Sequence, residues 1–272
     1  MAACKALVTL TSEESKRLIA KGIAALPVIQ NAKQRGIIGF CVCSSAKYVA
    51  EEVLQEPLPD SYICGYVSRH GLFAVPDERA GKQLVLVDGK AVWLDWPKEN
   101  LTKYIKSMDA HDVIIKSGNI LDPNRRAGTL VGLSNGGEYG KYFPYILARG
   151  INLIVPMTLN KTSPNPLDEV MLEMGITKIS PDHTHGEACG MLPLPGLVVT
   201  ECEALKTLTG VRAIPAAMGG IGDGRGTVTL LLIGQEDQVK DAWNLIESIK
   251  GEPSIEADLP PVEIEGIDKG NS

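Results

Sequence analysis

Three short apolar runs, at 37–42, 113–116 and 151–155, do most to limit what this chain can fold into. Each is continuous rather than alternating. Such a strand is buried on both faces, as happens in a parallel sheet covered by helices. The first run is preceded by a helical stretch at 27–34, with Pro27 tolerated in its first turn and Gly36 after its end. It is followed by Cys43-Ser44-Ser45 and a second helical stretch through Tyr48 and Leu54. Helix, strand and helix in that order build parallel sheets, and the rhythm returns after residue 107. Residues 84–87 and 91–94 flank Asp88-Gly89-Lys90, where Asp-Gly is a strong hairpin signal. Thr11-Ser12-Glu13-Glu14 has the form of a capping box opening a helix that runs to about Gly22.

The pattern predicts an α/β fold. Its parallel-sheet core, with helices on both faces, spans 1–199 and carries an antiparallel hairpin elaboration around 56–96. A small C-terminal α+β module is expected at 200–252, in the order α-β-β-α. Its last helix should turn Val239, Ala242, Trp243, Ile246 and Ile249 onto a sheet. A flexible acidic tail is expected at 253–272.

Of the 272 residues, 44% are hydrophobic, enough for a substantial core, and the formal net charge is −6. Phosphate-backbone binding needs a concentrated basic face, so nucleic acid is not an expected partner. No run approaches the ~18 apolar residues of a spanning helix, and no membrane partner is expected. The amino terminus lacks the apolar run of a signal peptide. The six cysteines read as free thiols in a reducing compartment, hence a cytoplasmic setting. No cofactor is expected. A homo-oligomer is, formed through the 227–233 strand or the helix bearing Trp243.

Open parallel sheets bind ligands beyond the carboxyl ends of their strands. Three loops follow candidate parallel strands. The first offers Ser44, Ser45 and Lys47 at a helix start. The second holds Asn119, Asp122, Arg125 and Arg126, and arginines there suit carboxylate or phosphate. The third, 132–137, offers Asn135, Gly136 and Gly137, whose backbone N–H groups complete a cradle for an anion. The expected partner is therefore a small anionic metabolite, with Asp122 and Glu138 as catalytic candidates should the site convert what it binds. A non-catalytic binding or sensor protein, or an assembly subunit, are the competing readings.

Residues 112–158 resemble a segment of the NagB/RpiA/CoA-transferase-like superfamily, in particular its ribose-1-phosphate isomerase-like branch. The likeness lies in an apolar strand (Val113-Ile114-Ile115), a loop, a short strand, an asparagine, a helix, and an apolar strand ending in proline. It implies a phosphorylated sugar or acyl-CoA as ligand. Asn119 falls where that branch carries a catalytic aspartate, Asn135 matches its asparagine, and Gly136 replaces its lysine. An amide is no general base near neutral pH, so the resemblance implies the scaffold without the isomerase chemistry. Glu138 is the nearest glutamate for a transferase nucleophile.

Asp182-His183-Thr184-His185-Gly186-Glu187-Ala188-Cys189 is the densest set of potential ligands. His183, His185 and Cys189 suit zinc by chemistry but match no established spacing, so no metal is expected. The glycine run at 219–226 precedes a strand and fits no nucleotide fingerprint. It reads as a surface hairpin connection, or as a mobile lid over the site.

Overall fold

The computed structural model describes residues 4–75 and 81–255. It opens with β1 (Cys4–Leu10), α1 (Ser12–Ala24), α2 (Pro27–Arg35), β2 (Ile37–Phe40) and α3 (Ser44–Leu54). Two hairpins follow, β3 (Gly65–Ser68) with β4 (Gly71–Ala74) and β5 (Gln83–Val87) with β6 (Lys90–Leu94). The middle of the chain forms α4 (Thr102–Ile105), β7 (Val113–Ile115), β8 (Ile120–Leu121), β9 (Ala127–Val131), α5 (Gly137–Arg149) and β10 (Asn152–Pro156). The remainder is α6 (Leu167–Glu173), β11 (Gly190–Leu194), β12 (Leu197–Val199), α7 (Glu201–Thr209), β13 (Arg212–Gly219), β14 (Thr227–Gly234) and α8 (Glu236–Glu247).

The three apolar runs lie side by side. The main sheet has the order β12-β10-β7-β2-β5-β6. Gly39 and Leu153 sit opposite Ile114 on either side, and both pairings are parallel. β12 adds a fourth parallel strand, and the hairpin β5–β6 extends the opposite edge antiparallel. The sheet is thus mixed, with the hairpin elaboration forming two of its six strands. Asp88 at φ 49° and Gly89 at φ 74° make the hairpin turn. Positive φ at both central residues matches the right-handed twist of the flanking strands. Val113, Ile114 and Ile115 are all fully buried, which explains why that run shows no alternation.

The amino ends of the central strands meet at one residue. The buried Asp112 carboxylate accepts the N–H of Ile37 at 2.7 Å and of Asp109 at 2.8 Å. Its backbone carbonyl accepts the N–H of Asn152 at 3.1 Å. One residue thereby sets β2 and β10 against β7.

Three expectations are corrected. Residues 127–131 form a strand, but outside the main sheet: β9 pairs antiparallel with β8 and β11. A parallel neighbour needs a crossover of about a dozen residues, and the tight turn at 122–126 reverses the chain instead. The loop at 132–137 therefore does not leave a parallel strand. Next, Trp243 is 44% exposed, while Val239, Ala242, Ile246 and Ile249 are buried. Those four follow 3-4-3 spacing, and Trp243 falls at the edge of their stripe. Last, the helix opened by Thr11 continues past Gly22 to Ala24. A Cβ on Gly22 would lie 2.6 Å from the Ala204 Cα, so the glycine is there for close packing of α1 on α7, not to end a helix.

The 200–252 segment does follow the order α-β-β-α, but β14 runs between β13 and the amino-terminal β1. β1 pairs antiparallel with β14 along its whole length, from Cys4 opposite Gly234 to Leu10 opposite Val228. Of the tail at 253–272, residues 256–272 lie outside the described residues, as do 76–80 of the hairpin region. Among the described residues no helix is long and apolar enough to cross a membrane.

The capping box forms as expected: Thr11 Oγ1 accepts the Glu14 N–H at 3.2 Å and Glu14 accepts the Thr11 N–H at 2.9 Å. Glu14 also accepts from the Gly251 N–H at 2.9 Å and from Lys250 Nζ at 3.0 Å, joining α1 to the end of the chain beyond α8. Burial pushes its carboxyl upward, but the two backbone donors and Lys250 outweigh this and hold it below the usual range. A carboxyl depressed in the folded state stabilises the fold above its unfolded pKa, and that stabilisation is lost as pH falls through the folded value. Glu14→Gln should therefore cost about 1–2 kcal/mol near pH 7. Denaturant titrations of both proteins should show the gap narrowing on acidification.

Candidate functional site

The residues expected to bind an anion are largely committed elsewhere. Arg125 pairs with Glu203 on α7 at 2.8 Å. Arg126 pairs with Asp122 at 2.9 Å and with Asp168 on α6 at 2.9 Å. Asp122, 2% exposed, accepts from the N–H groups of Asn124, Arg126 and Leu167 and from Arg126 Nε. Burial opposes its ionisation, but these donors hold the carboxyl below its ordinary value. A carboxylate so occupied folds the turn and has little capacity left for proton transfer.

Asn119 Oδ1 accepts the Leu130 N–H at 3.0 Å and secures the start of β8 to β9. Asn135 Oδ1 accepts the Gly137 N–H at 3.0 Å, and the Gly136 N–H goes to the Leu133 carbonyl at 2.8 Å. Gly136 and Gly137 adopt φ of 77° and 65°, so the turn needs its glycines for conformation, and two donors of the supposed cradle are used within it. Lys47 turns along α3 to Glu51 at 2.9 Å and Asp60 at 3.1 Å. Ser44 and Ser45 stand in the first turn of α3, and the buried Ser45 Oγ has no partner among the described residues.

His183 Nδ1 lies 3.2 Å from Ser180 Oγ, and the Cys189 thiol lies 3.5 Å from the Glu187 carbonyl. The His185 carbonyl takes the Leu72 N–H at 3.3 Å, and Glu187 takes the Ala74 N–H at 2.9 Å. This loop docks the β3–β4 hairpin. Among the described residues no three His, Cys, Asp or Glu side chains are grouped to hold a metal. Residues 219–226 form the tip of the β13–β14 hairpin, and its Gly226 carbonyl accepts from Asn160 Nδ2 at 3.1 Å.

A different set of side chains converges where the parallel strands end. β2 runs out into Cys41-Val42-Cys43, β7 into Lys116-Ser117-Gly118, and β10 into a turn whose last residues, Leu159–Lys161, are a single 3-10 turn. Sheet-like pairing persists one residue past the strands: the Cys41 N–H bonds the Ile115 carbonyl at 3.0 Å and the Lys116 N–H the Ile154 carbonyl at 3.1 Å. The backbone beneath Lys116 is therefore fixed from β10. Its Nζ donates to Thr129 Oγ1 at 3.2 Å, and Lys161 Nζ donates to the Gly118 carbonyl at 2.9 Å. The Ser117 hydroxyl donates to Cys43 Sγ at 3.2 Å. Glu138, in the first turn of α5, accepts from Trp96 Nε1 at 3.1 Å through one oxygen. Its other oxygen is buried with no partner among the described residues. Lys116, Lys161 and Glu138 are half-buried, and each keeps some surface open to solvent.

The electrostatics are unusual for a protein interior. Burial pushes Lys161 down to about 8, helped by the like charges of Lys16 and Lys116 and opposed by Cys43 and Glu201. Burial also pulls on Lys116; the Glu138 carboxyl favours its charge, and the sulfurs of Cys43, Cys41 and Cys64 would add to this only as thiolates. Burial raises the Glu138 carboxyl despite Gln83, Trp96 and Lys116. Burial lifts Cys64 to about 11 and Cys41 further, so these thiols are neutral at physiological pH. Glu201, raised by burial to about 7, presents both oxygens to the Leu159 N–H at 3.1 and 3.2 Å and so steadies the turn that carries Lys161.

An open groove, about 810 Å³, lies along α1 and α3. Arg17 there is paired with Glu51, Glu52 and Glu252 and stacks 4.6 Å from the Tyr48 ring centroid. A ligand would have to break those pairs to enter, whereas Lys116 and Lys161 at the strand ends are in no ion pair with the described residues. Compared with known proteins, the chain matches no family model, no curated protein and no solved structure.

Reasoning from sequence passed over Lys116, Lys161 and Trp96, and placed Cys43 and Ser117 in separate candidate loops without joining them. Lys116 did carry a local signal, a cation abutting a fully apolar strand. Lys161 carried none, since only the fold of the turn after β10 brings it to Gly118.

The two candidate carboxylates should separate by stability. Asp122→Asn loses charge-assisted acceptance from several donors and should cost about 2 kcal/mol or more. Glu138→Gln keeps an acceptor for Trp96 and removes a charge that burial disfavours. It should leave stability within about 0.5 kcal/mol of the parent or raise it at pH 7. Urea unfolding of the two variants checks both.

Proposed function

We propose that this chain binds a small anionic metabolite at the carboxyl ends of β2, β7 and β10. The observation that carries the reading is the pair Lys116 and Lys161. Each is half-buried, and among the described residues each has a single neutral acceptor and no carboxylate within ion-pair distance. A desolvated cation without a counter-charge is costly, and an incoming anion relieves that cost. Lysine suits this role as a compact point charge, and the Ser117 hydroxyl adds a further polar group. The phosphorylated sugars and acyl-CoA thioesters implied by the resemblance both carry suitable groups, as does any small carboxylate.

A non-catalytic binder on the same scaffold is the second reading, and the environment of Asn119 favours it. Where the resembling branch has a catalytic aspartate, this chain has an amide held by the Leu130 N–H.

Calorimetric titration with oxalate and with inorganic phosphate tests the proposal. Saturable binding should weaken at least about tenfold in Lys116→Met, near 1.4 kcal/mol. It should be unchanged in Arg125→Ala, whose guanidinium faces Glu203. Absence of saturable binding by either anion, or equal loss in the Arg125 variant, would overturn the assignment.

A further inference from the structure

We propose that Lys161 is a carbonyl-reactive amine, forming an imine with a small anionic carbonyl compound of the 2-oxo acid class whose carboxylate is held by Lys116. This rests on the anion-binding reading above and adds a chemical role to one of its two lysines.

The geometry starts from the loop after β7. Lys161 Nζ reaches that loop from the β10 side and donates to the Gly118 carbonyl at 2.9 Å. Two residues earlier in the same loop, Lys116 projects from the end of β7 to Thr129 Oγ1. The two amines thus belong to one short segment from neighbouring strands, in which the Ser117 hydroxyl also donates to Cys43 Sγ at 3.2 Å. Lys161 retains some solvent-accessible surface, and its one hydrogen bond leaves two N–H positions uncommitted. A carboxylate on Lys116 would present the adjacent carbonyl carbon of a 2-oxo acid to the second amine.

The charged groups facing Lys161 explain why it, and not Lys116, is the nucleophile. Lys16 from α1 and Lys116 from the β7 loop disfavour its protonation, Glu201 from α7 and Cys43 from the β2 loop favour it, and burial tips the balance downward. With the amine near 8, about a tenth is unprotonated at pH 7. Desolvation beside a second cation is an established way to activate a lysine. The Glu138 carboxyl favours charge on Lys116, as an anion anchor requires. In the reaction the free amine adds to the carbonyl carbon, forming a C–N bond and a carbinolamine. Both amine hydrogens and the carbonyl oxygen then leave as water, and the C=N bond remains, reversibly.

The test uses the full chain with pyruvate as probe, trapped by sodium borohydride, whose hydride reduces the imine to a stable secondary amine. Intact mass and peptide mapping should show one adduct per chain, on Lys161. Oxalate, which binds but has no ketone, should suppress it. Lys116→Met keeps the reactive amine and should lower the trapping rate at least tenfold, while Lys161→Arg and Lys161→Met should abolish the adduct with an unchanged circular dichroism spectrum. If oxalate binds and the adduct is absent or spread over surface lysines, the imine proposal fails and the anion site stands. If oxalate neither binds nor protects, both fail.

Discussion

The structure depends on the way three buried parallel strands are tied at their amino ends. Asp112 accepts the Ile37 N–H through its side chain and the Asn152 N–H through its carbonyl, so one residue joins β2 and β10 to β7. Strands as short as β7, with three residues, supply few ladder bonds of their own. A buried carboxylate that satisfies two N–H donors makes up part of that deficit and fixes the register. With the register fixed at one end, the residues that emerge at the other are fixed too. Cys41 and Lys116 still pair in register just beyond the strands, so the chemistry at the carboxyl ends inherits its geometry from a clamp at the opposite edge.

Buried ionisable groups divide into two kinds. Glu14, Asp112 and Asp122 are surrounded by backbone N–H donors, and each joins separate segments of chain. Glu138, Lys116 and Lys161 are not so satisfied. Glu138 has an orphaned oxygen, and the two lysines have one neutral acceptor each. A fold tolerates incomplete polar groups where a ligand or a reaction completes them, and here the incomplete groups gather at one end of the parallel strands. The arginines went the other way. Arg125 and Arg126 face carboxylates of α7 and α6 and serve to attach those helices to the turn between β8 and β9.

The amino-terminal strand shows how far the parts depend on one another. β1 completes the sheet of β13 and β14, α1 packs on α7 through Gly22, and Glu14 reaches the backbone after α8. Residues 4–24 and the last fifty described residues are thus built together. Glu201, at the start of α7, extends this joint to the turn that carries Lys161.

The features legible in the sequence were those set by neighbours along the chain. The continuous apolar runs marked β2, β7 and β10 because burial on both faces removes alternation. Asp88-Gly89 marked its hairpin because both residues tolerate positive φ. Thr11 and Glu14 marked a helix start because the capping box closes within four residues. What tertiary structure alone decided was which charge meets which. Arg126 has Asp122 four residues away but also Asp168 across forty-two, and the second contact withdraws it from the site. Lys161 acquires its place only because the turn after β10 folds back on the loop after β7. Local patterns encode conformation through backbone sterics and short hydrogen bonds. A site made of charges from three strand ends depends on distances through space, and residue spacing along one chain does not contain them.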